Sequence, residues 1–210
     1  MGNAPRSVPL HRYGHPVFEV VALAASAGGL TALSRVLSAL PQDFPAAIVV
    51  VQHLDPRHRS LMVEILSRRT ALEVRQAAEG DRLRPATVYI APPDRHLLVN
   101  PDGTLSLSQS ELVHFVRPSA DLLFESVAAC YKERAIAVVL TGAGSDGAMG
   151  ASGIKKMGGT LIVQDEETSD FFSMPNAAIQ AAAAVDFVLP IEEIPPTLVT
   201  LVMKVADGSH

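Results

Sequence analysis

Three short apolar runs, rich in β-branched residues, most constrain what this 210-residue chain can fold into. Val17 to Ala24 leads into Ala25-Ser26-Ala27-Gly28-Gly29, Ala46 to Gln52 into His53-Leu54-Asp55, and Ala135 to Leu140 into Thr141-Gly142-Ala143-Gly144-Ser145-Asp146-Gly147. Continuous apolar runs of this length, alternating with helical patterns, predict strands of a parallel sheet buried on both faces. Open α/β sheets bind ligands beyond the carboxyl ends of such strands. A serine, a histidine and an aspartate would then meet at one rim, where acyl-transfer chemistry can be assembled. The pattern points to an α/β serine hydrolase.

The length fits one α/β domain over 17–205, with a leader at 1–16 and a tail at 206–210. After Ser26, Leu30, Leu33, Leu37 and Leu40 recur at helical spacing and predict one buried stripe. A helix is expected over 60–69 with Leu61, Ile65 and Leu66 on its apolar side, then short strands at 72–75 and 87–91. Leu97 to Asn100, Pro101-Asp102-Gly103 and Thr104 to Leu107 read as an antiparallel hairpin. Ser119 is the expected N-cap of a helix running from Asp121 to Tyr131. Helices after Gly147, Met174 and Pro195 separate strands at 159–164 and 185–189.

A net charge of -5 gives no general support for nucleic-acid binding. Cys130 is the sole cysteine, so neither an internal disulfide nor a cysteine zinc site can form, and burial in a helix is its expected role. No stretch is long and apolar enough for membrane insertion, and the start lacks a secretory apolar centre, so a cytoplasmic protein is expected.

Each residue of the trio has a competing reading. Ser26 sits in a turn of small residues that exposes a hydroxyl, but such a serine can equally cap the next helix, or the turn hold a phosphate. His53 supplies an imidazole base, which a serine hydroxyl needs to become nucleophilic. A hydrogen-bonded rim residue, or a metal ligand in the H-x-D-x-x-H of His53, Asp55 and His58, is the alternative. Asp146 would orient that imidazole, yet it lies within GAGSDG, a literal G-x-G-x-x-G after a strand. Asp165 ends the following strand near where a dinucleotide site places its ribose-binding acid, so an NAD-type Rossmann reading stays open.

At these residues the chain resembles the catalytic domain of chemotaxis protein-glutamate methylesterases. The matching segments are ASAGGLTAL at 25–33, VVVQHLDP at 49–56, YIAPPDRH at 89–96, RPSADLLF at 117–124, VVLTGAGSDGAMG at 138–150, GGTLIVQDEETS at 158–169 and MPNAAI at 174–179. The resemblance implies a doubly wound, mostly parallel, Rossmann-like sheet with a small antiparallel hairpin. It implies Ser26 as nucleophile, His53 as general base and acid, Asp146 as its partner, and no metal or organic cofactor. Backbone N–H groups of Ala27 and Ala143 are the implied oxyanion donors.

The implied activity is hydrolysis of glutamate methyl esters on chemoreceptors or related signalling proteins, with methanol released, and deamidation of receptor glutamines. Ala24, Ala27 and Ala143 stand where many members carry Gly, Thr and Met. Sixteen residues precede Val17, so the receiver domain that covers the site in many members is expected to be missing, leaving regulation to a partner in trans. A catalytically inactive interaction module of the same fold is the reading from a different class.

Overall fold

Every second residue of the central strands belongs to one face of the sheet and the remainder to the other, and both faces are buried. The computed structural model describes residues 18–53 and 61–203. Strands β1 (Val20–Ala25), β2 (Ala47–Gln52) and β7 (Ala135–Val139) are buried along their whole length. Val21, Leu23 and Ala25 of β1 face one core, while Val20, Ala22 and Ala24 face the other. This two-sided burial is why the runs are continuous rather than alternating.

The seven-stranded sheet has the order β3-β4-β2-β1-β7-β8-β9, completed by β3 (Glu73–Gln76), β4 (Thr87–Ile90), β8 (Thr160–Gln164) and β9 (Phe187–Leu189). All pairings in it are parallel. Helices α1 (Gly29–Ser38), α2 (Met62–Ser67) and α6 (Ile194–Val202) contribute to the first core. Helices α3 (Ala120–Tyr131), α4 (Ala148–Lys156) and α5 (Ser173–Ala181) contribute to the second. The separate hairpin of β5 (His96–Val99) and β6 (Leu105–Ser108) also packs there, as its expected antiparallel pairing required. The doubly wound α/β architecture expected from the sequence is thus the one observed.

Two helix faces differ from expectation. Leu33, Leu37 and Leu40 are buried, but Leu30 is exposed, because it lies in the first turn of α1 at the sheet rim. In α2 the buried residues are Met62 and Leu66, while Leu61 precedes the helix and is exposed. The helical period holds there, but its phase is rotated from the predicted one.

The chain builds β2, β3 and β4 to one side of β1, then crosses to add β7, β8 and β9 on the other. The direction of winding therefore reverses between β1 and β7, the position at which parallel sheets open a crevice. The carboxyl ends of β2, β1 and β7 lie side by side there. These are the three strands that precede His53, Ser26 and Asp146.

Candidate active site

Strand register sets the first two residues beside each other. Ala25 pairs with Gln52, so Ser26 and His53 each lie one step beyond a paired position. The His53 N–H donates to the Ala25 carbonyl at 3.1 Å, and the Ser26 N–H to that of Thr141 at 3.1 Å. The Gln52 amide adds a clamp, its Nε2 donating to the carbonyls of Ser26 (2.7 Å) and His53 (3.0 Å). One side chain thus ties together the backbones of both residues. Sequence reasoning did not single out Gln52, whose only signal was a polar residue closing an apolar run.

The turn after Ser26 uses its two glycines differently. Gly28 has φ +77°, in the left-handed region where a side chain is strained. Gly29 lies against Gln52 and Ala25, and a Cβ there would collide with the Gln52 amide oxygen. We expect Gly29→Ala to displace the clamp and cost about 1–3 kcal/mol of stability by overpacking. Urea unfolding together with esterase assays checks this; a variant with unchanged midpoint and turnover would contradict it.

Asp146 occupies a cradle built by the start of α3. His53 Nε2 lies 2.8 Å from its Oδ2, which also accepts the Ala120 N–H at 2.6 Å. Oδ1 accepts the Ser119 hydroxyl at 2.8 Å and the Asp121 N–H at 3.1 Å. Ser119 is the N-cap of α3, as expected, and its orientation of Asp146 is a second role not visible in the sequence. Burial by itself would raise the Asp146 pKa, but the hydrogen bonds from His53, Ala120, Asp121 and Ser119 outweigh it and hold the carboxyl below the ordinary value of 3.8. A carboxylate at a helix N-terminus is also favoured by the helix dipole.

In the neutral imidazole, Nε2–H donating to Asp146 leaves the lone pair of His53 on Nδ1. The expected continuous chain is present in its His53–Asp146 half; among the described residues the Ser26 hydroxyl makes no hydrogen bond. Contacts between nucleophile and base commonly lengthen in the free enzyme and tighten around substrate. The main-chain N–H groups of Ala27 and Ala143 likewise have no hydrogen-bond partner among the described residues.

Within GAGSDG, Gly142 serves protein packing. A Cβ at Gly142 would press on Met174 and on the Cβ of Ser26, so this glycine lets the loop after β7 approach the Ser26 turn. Asp146 is turned inward to α3, and Asp165 accepts the Thr168 N–H (2.9 Å) and hydroxyl (2.7 Å) within its own turn. These contacts disfavour the dinucleotide reading. Asp55 and His58 lie outside the described residues, as do residues 1–17 and 204–210 with the expected leader and tail; among the described residues no cluster of three potential ligands could hold a metal. Cys130 is half-buried in α3, and burial raises its thiol pKa.

Asp121, beside the cradle, behaves oppositely to Asp146. Burial and then the neighbouring charge of Asp146 raise its pKa, against the Gly150 N–H bond at 2.7 Å and His114. Because the folded state holds this proton more tightly than the unfolded chain, stability from this group is fully present below the unfolded value of 3.8 and lost as pH rises through the folded value. Asp121→Asn should therefore gain stability relative to wild type as pH is raised from about 3.8 towards neutrality. Urea midpoints of both proteins across that range test the sign; a gap that closes as pH rises would contradict it.

Comparisons with known proteins bear on the family and the fold. The family model described as CheB methylesterase matches residues 21–198. A protein-glutamate methylesterase/protein-glutamine glutaminase of Moorella thermoacetica is 44% identical over 191 residues, covering 89% of this chain and 45% of its own length. A Leptospira interrogans protein provisionally given the same designation is 40% identical over 184 residues, 88% of this chain and 95% of its own length. The chain thus spans about half the Moorella relative and nearly all of the Leptospira one. The crystal structure of the Thermotoga maritima CheB methylesterase catalytic domain superposes with a TM-score of 0.83 at 39% identity, over 88% of this chain and 99% of that one. No helix among the described residues is long and apolar enough to cross a membrane. The motifs, the switch-point site, the family match and the shared fold together show that the chain belongs to the CheB methylesterase family.

Proposed function

We propose that this chain is a serine hydrolase that removes methyl esters from glutamate side chains of chemoreceptors or related signalling proteins. The observation that carries it is the 2.8 Å His53–Asp146 pair, held next to Ser26 by the register of β1 and β2. The hydroxyl of Ser26 attacks the ester carbonyl while His53 Nδ1 takes its proton. The tetrahedral oxyanion is met by the N–H groups of Ala27 and Ala143. Collapse breaks the ester C–O bond, and the proton on His53 goes to the leaving methoxide, giving methanol and a glutamyl-serine ester. His53 then deprotonates water, which attacks that ester; the proton returns to Ser26, and the glutamate product departs. Asp146 stabilises the imidazolium in both halves and does not itself take the proton.

The same sequence with an amide in place of the ester would release ammonia from glutamine, the second activity named for the Moorella relative. A cytoplasmic setting goes with this reading. Incubation with a methyl-glutamate-bearing receptor fragment should release one methanol per glutamate formed. Absence of methanol under conditions that hydrolyse no ester at all would favour the inactive interaction module.

A further inference from the structure

His96 is fully buried at the start of β5, and the proposed reaction gives it no chemical step. Its two ring nitrogens are nevertheless both engaged. The Ser119 N–H donates to Nδ1 at 3.1 Å, and Nε2 lies 3.0 Å from the Glu111 carbonyl. Since Nδ1 accepts, Nε2 must carry the proton and donate it to Glu111. Ser119 is the residue whose hydroxyl grips Asp146, and the next N–H groups, of Ala120 and Asp121, complete that grip. A fixed path therefore runs from the Glu111 carbonyl through His96, Ser119 and Asp146 to His53.

The surroundings make His96 a rigid support. The hairpin it opens is fastened to the middle of α3 by the Val99 N–H, which donates to Ser126 Oγ at 3.0 Å. The segment bearing Glu111 is latched by Arg117, which donates to Asp94 at 2.9 and 2.6 Å and to the Ser110 carbonyl at 2.7 Å. Hairpin and latch are separate from the main sheet. They meet the catalytic rim through the Ser119 turn.

We propose that His96 is a positioning residue for the proposed reaction, its Nδ1 holding the Ser119 N–H so that the start of α3 presents Asp146 to His53. This rests on the serine-hydrolase reading. A shift of about 1 Å in a catalytic group can cost on the order of 100-fold in rate, so loss of this one acceptor should be visible in turnover.

Two amide substitutions separate positioning from packing. In His96→Asn the side-chain oxygen can stand near the Nδ1 position and still accept from Ser119. In His96→Gln the longer amide reaches towards the Nε2 position, donates to Glu111 and leaves the Ser119 N–H unpaired. Ester hydrolysis by His96→Gln should fall about 10- to 100-fold in kcat with little change in KM, while His96→Asn stays within about threefold of wild type. The low-field proton resonance of His53 Nε2–H should persist in wild type and His96→Asn and shift or broaden in His96→Gln. Equal turnover in the two variants, whether high or low, or an effect confined to KM, would overturn the proposal.

Nitrogen-15 spectra of the wild-type protein need neither substrate nor a variant. They should show His96 with Nε2 protonated and Nδ1 bare; the opposite tautomer would overturn the proposal even if both variants failed to fold. If wild type and Ser26→Ala hydrolyse the ester equally, the serine-hydrolase reading has failed, whereas a dead Ser26→Ala with equal His96 variants rejects the role of His96 alone.

Discussion

Replacing Ser26 by alanine is expected to lower ester hydrolysis by on the order of 10⁴-fold or more while leaving the fold intact. The side chain makes no hydrogen bond among the described residues, so the backbone clamp from Gln52 survives its removal. His53→Ala should cost a similar factor, since an un-ionised hydroxyl is a poor nucleophile without a base to take its proton. Combining the two should add little, because nucleophile and base act as one unit. Steady-state methanol release from the two single variants and the double variant measures this. Multiplicative losses in the double variant would mean that the residues act independently and would remove the basis for pairing them.

Asp146→Asn should combine a large kinetic loss with a stability loss. Asp146 meets four donors, two at each oxygen. An amide has one oxygen and one NH₂ group, so one pair of donors must face a donor whichever way it turns. If NH₂ faces His53, the ring must accept through Nε2 and carry its proton on Nδ1, the atom needed as base. The analogous change in a serine protease triad costs about 10⁴-fold in kcat, and a similar loss is expected here. Leaving a buried main-chain N–H unpaired costs about 1–3 kcal/mol besides.

The pH dependence of that stability loss has a definite sign. The folded-state pKa of Asp146 lies below its unfolded value of 3.8, so its contribution is present above that value and is lost as pH falls through the folded pKa. The gap in stability between wild type and Asp146→Asn should therefore be widest near neutrality and narrow in acid. Urea midpoints at successive pH values test it, and a gap that widens in acid would contradict the carboxylate environment described above.

Much of the fold was legible because two-sided burial leaves a plain mark. Residues 135–139 and 47–52 have apolar neighbours above and below, and only apolar residues fit most of their positions. Ser26, His53 and Asp146 stood out because each follows such a run. Their proximity was a consequence of sheet order, however, and β2, β1 and β7 are neighbours only through the reversal of winding. The phase of α2 was misread because Leu61 is as apolar as Leu66, and only tertiary contact decides which of them is covered.

The supporting residues were less legible. Gln52, Ser119 and His96 act through main-chain groups 26, 27 and 23 positions away or through side chains at such separations. No local period or spacing encodes contacts of that kind. Ser119 illustrates the point: its N-cap role follows from the residues beside it, whereas its bond to Asp146 exists only once α3 has docked against the loop after β7. The literal G-x-G-x-x-G is ambiguous in the other direction. Its glycine at 142 permits an approach between two protein segments, a requirement that sequence cannot distinguish from approach to a phosphate.

The central claim is that Ser26 is the nucleophile, activated by His53. Its most direct measurement is treatment of the wild-type protein with a fluorophosphonate, followed by peptide mapping by mass spectrometry alongside methanol release. One phosphonyl group per chain should appear on Ser26, activity should vanish in proportion to labelling, and His53→Ala should label far more slowly. Full labelling of Ser26 with methanol release undiminished, or inactivation with the label on another residue, would contradict the account.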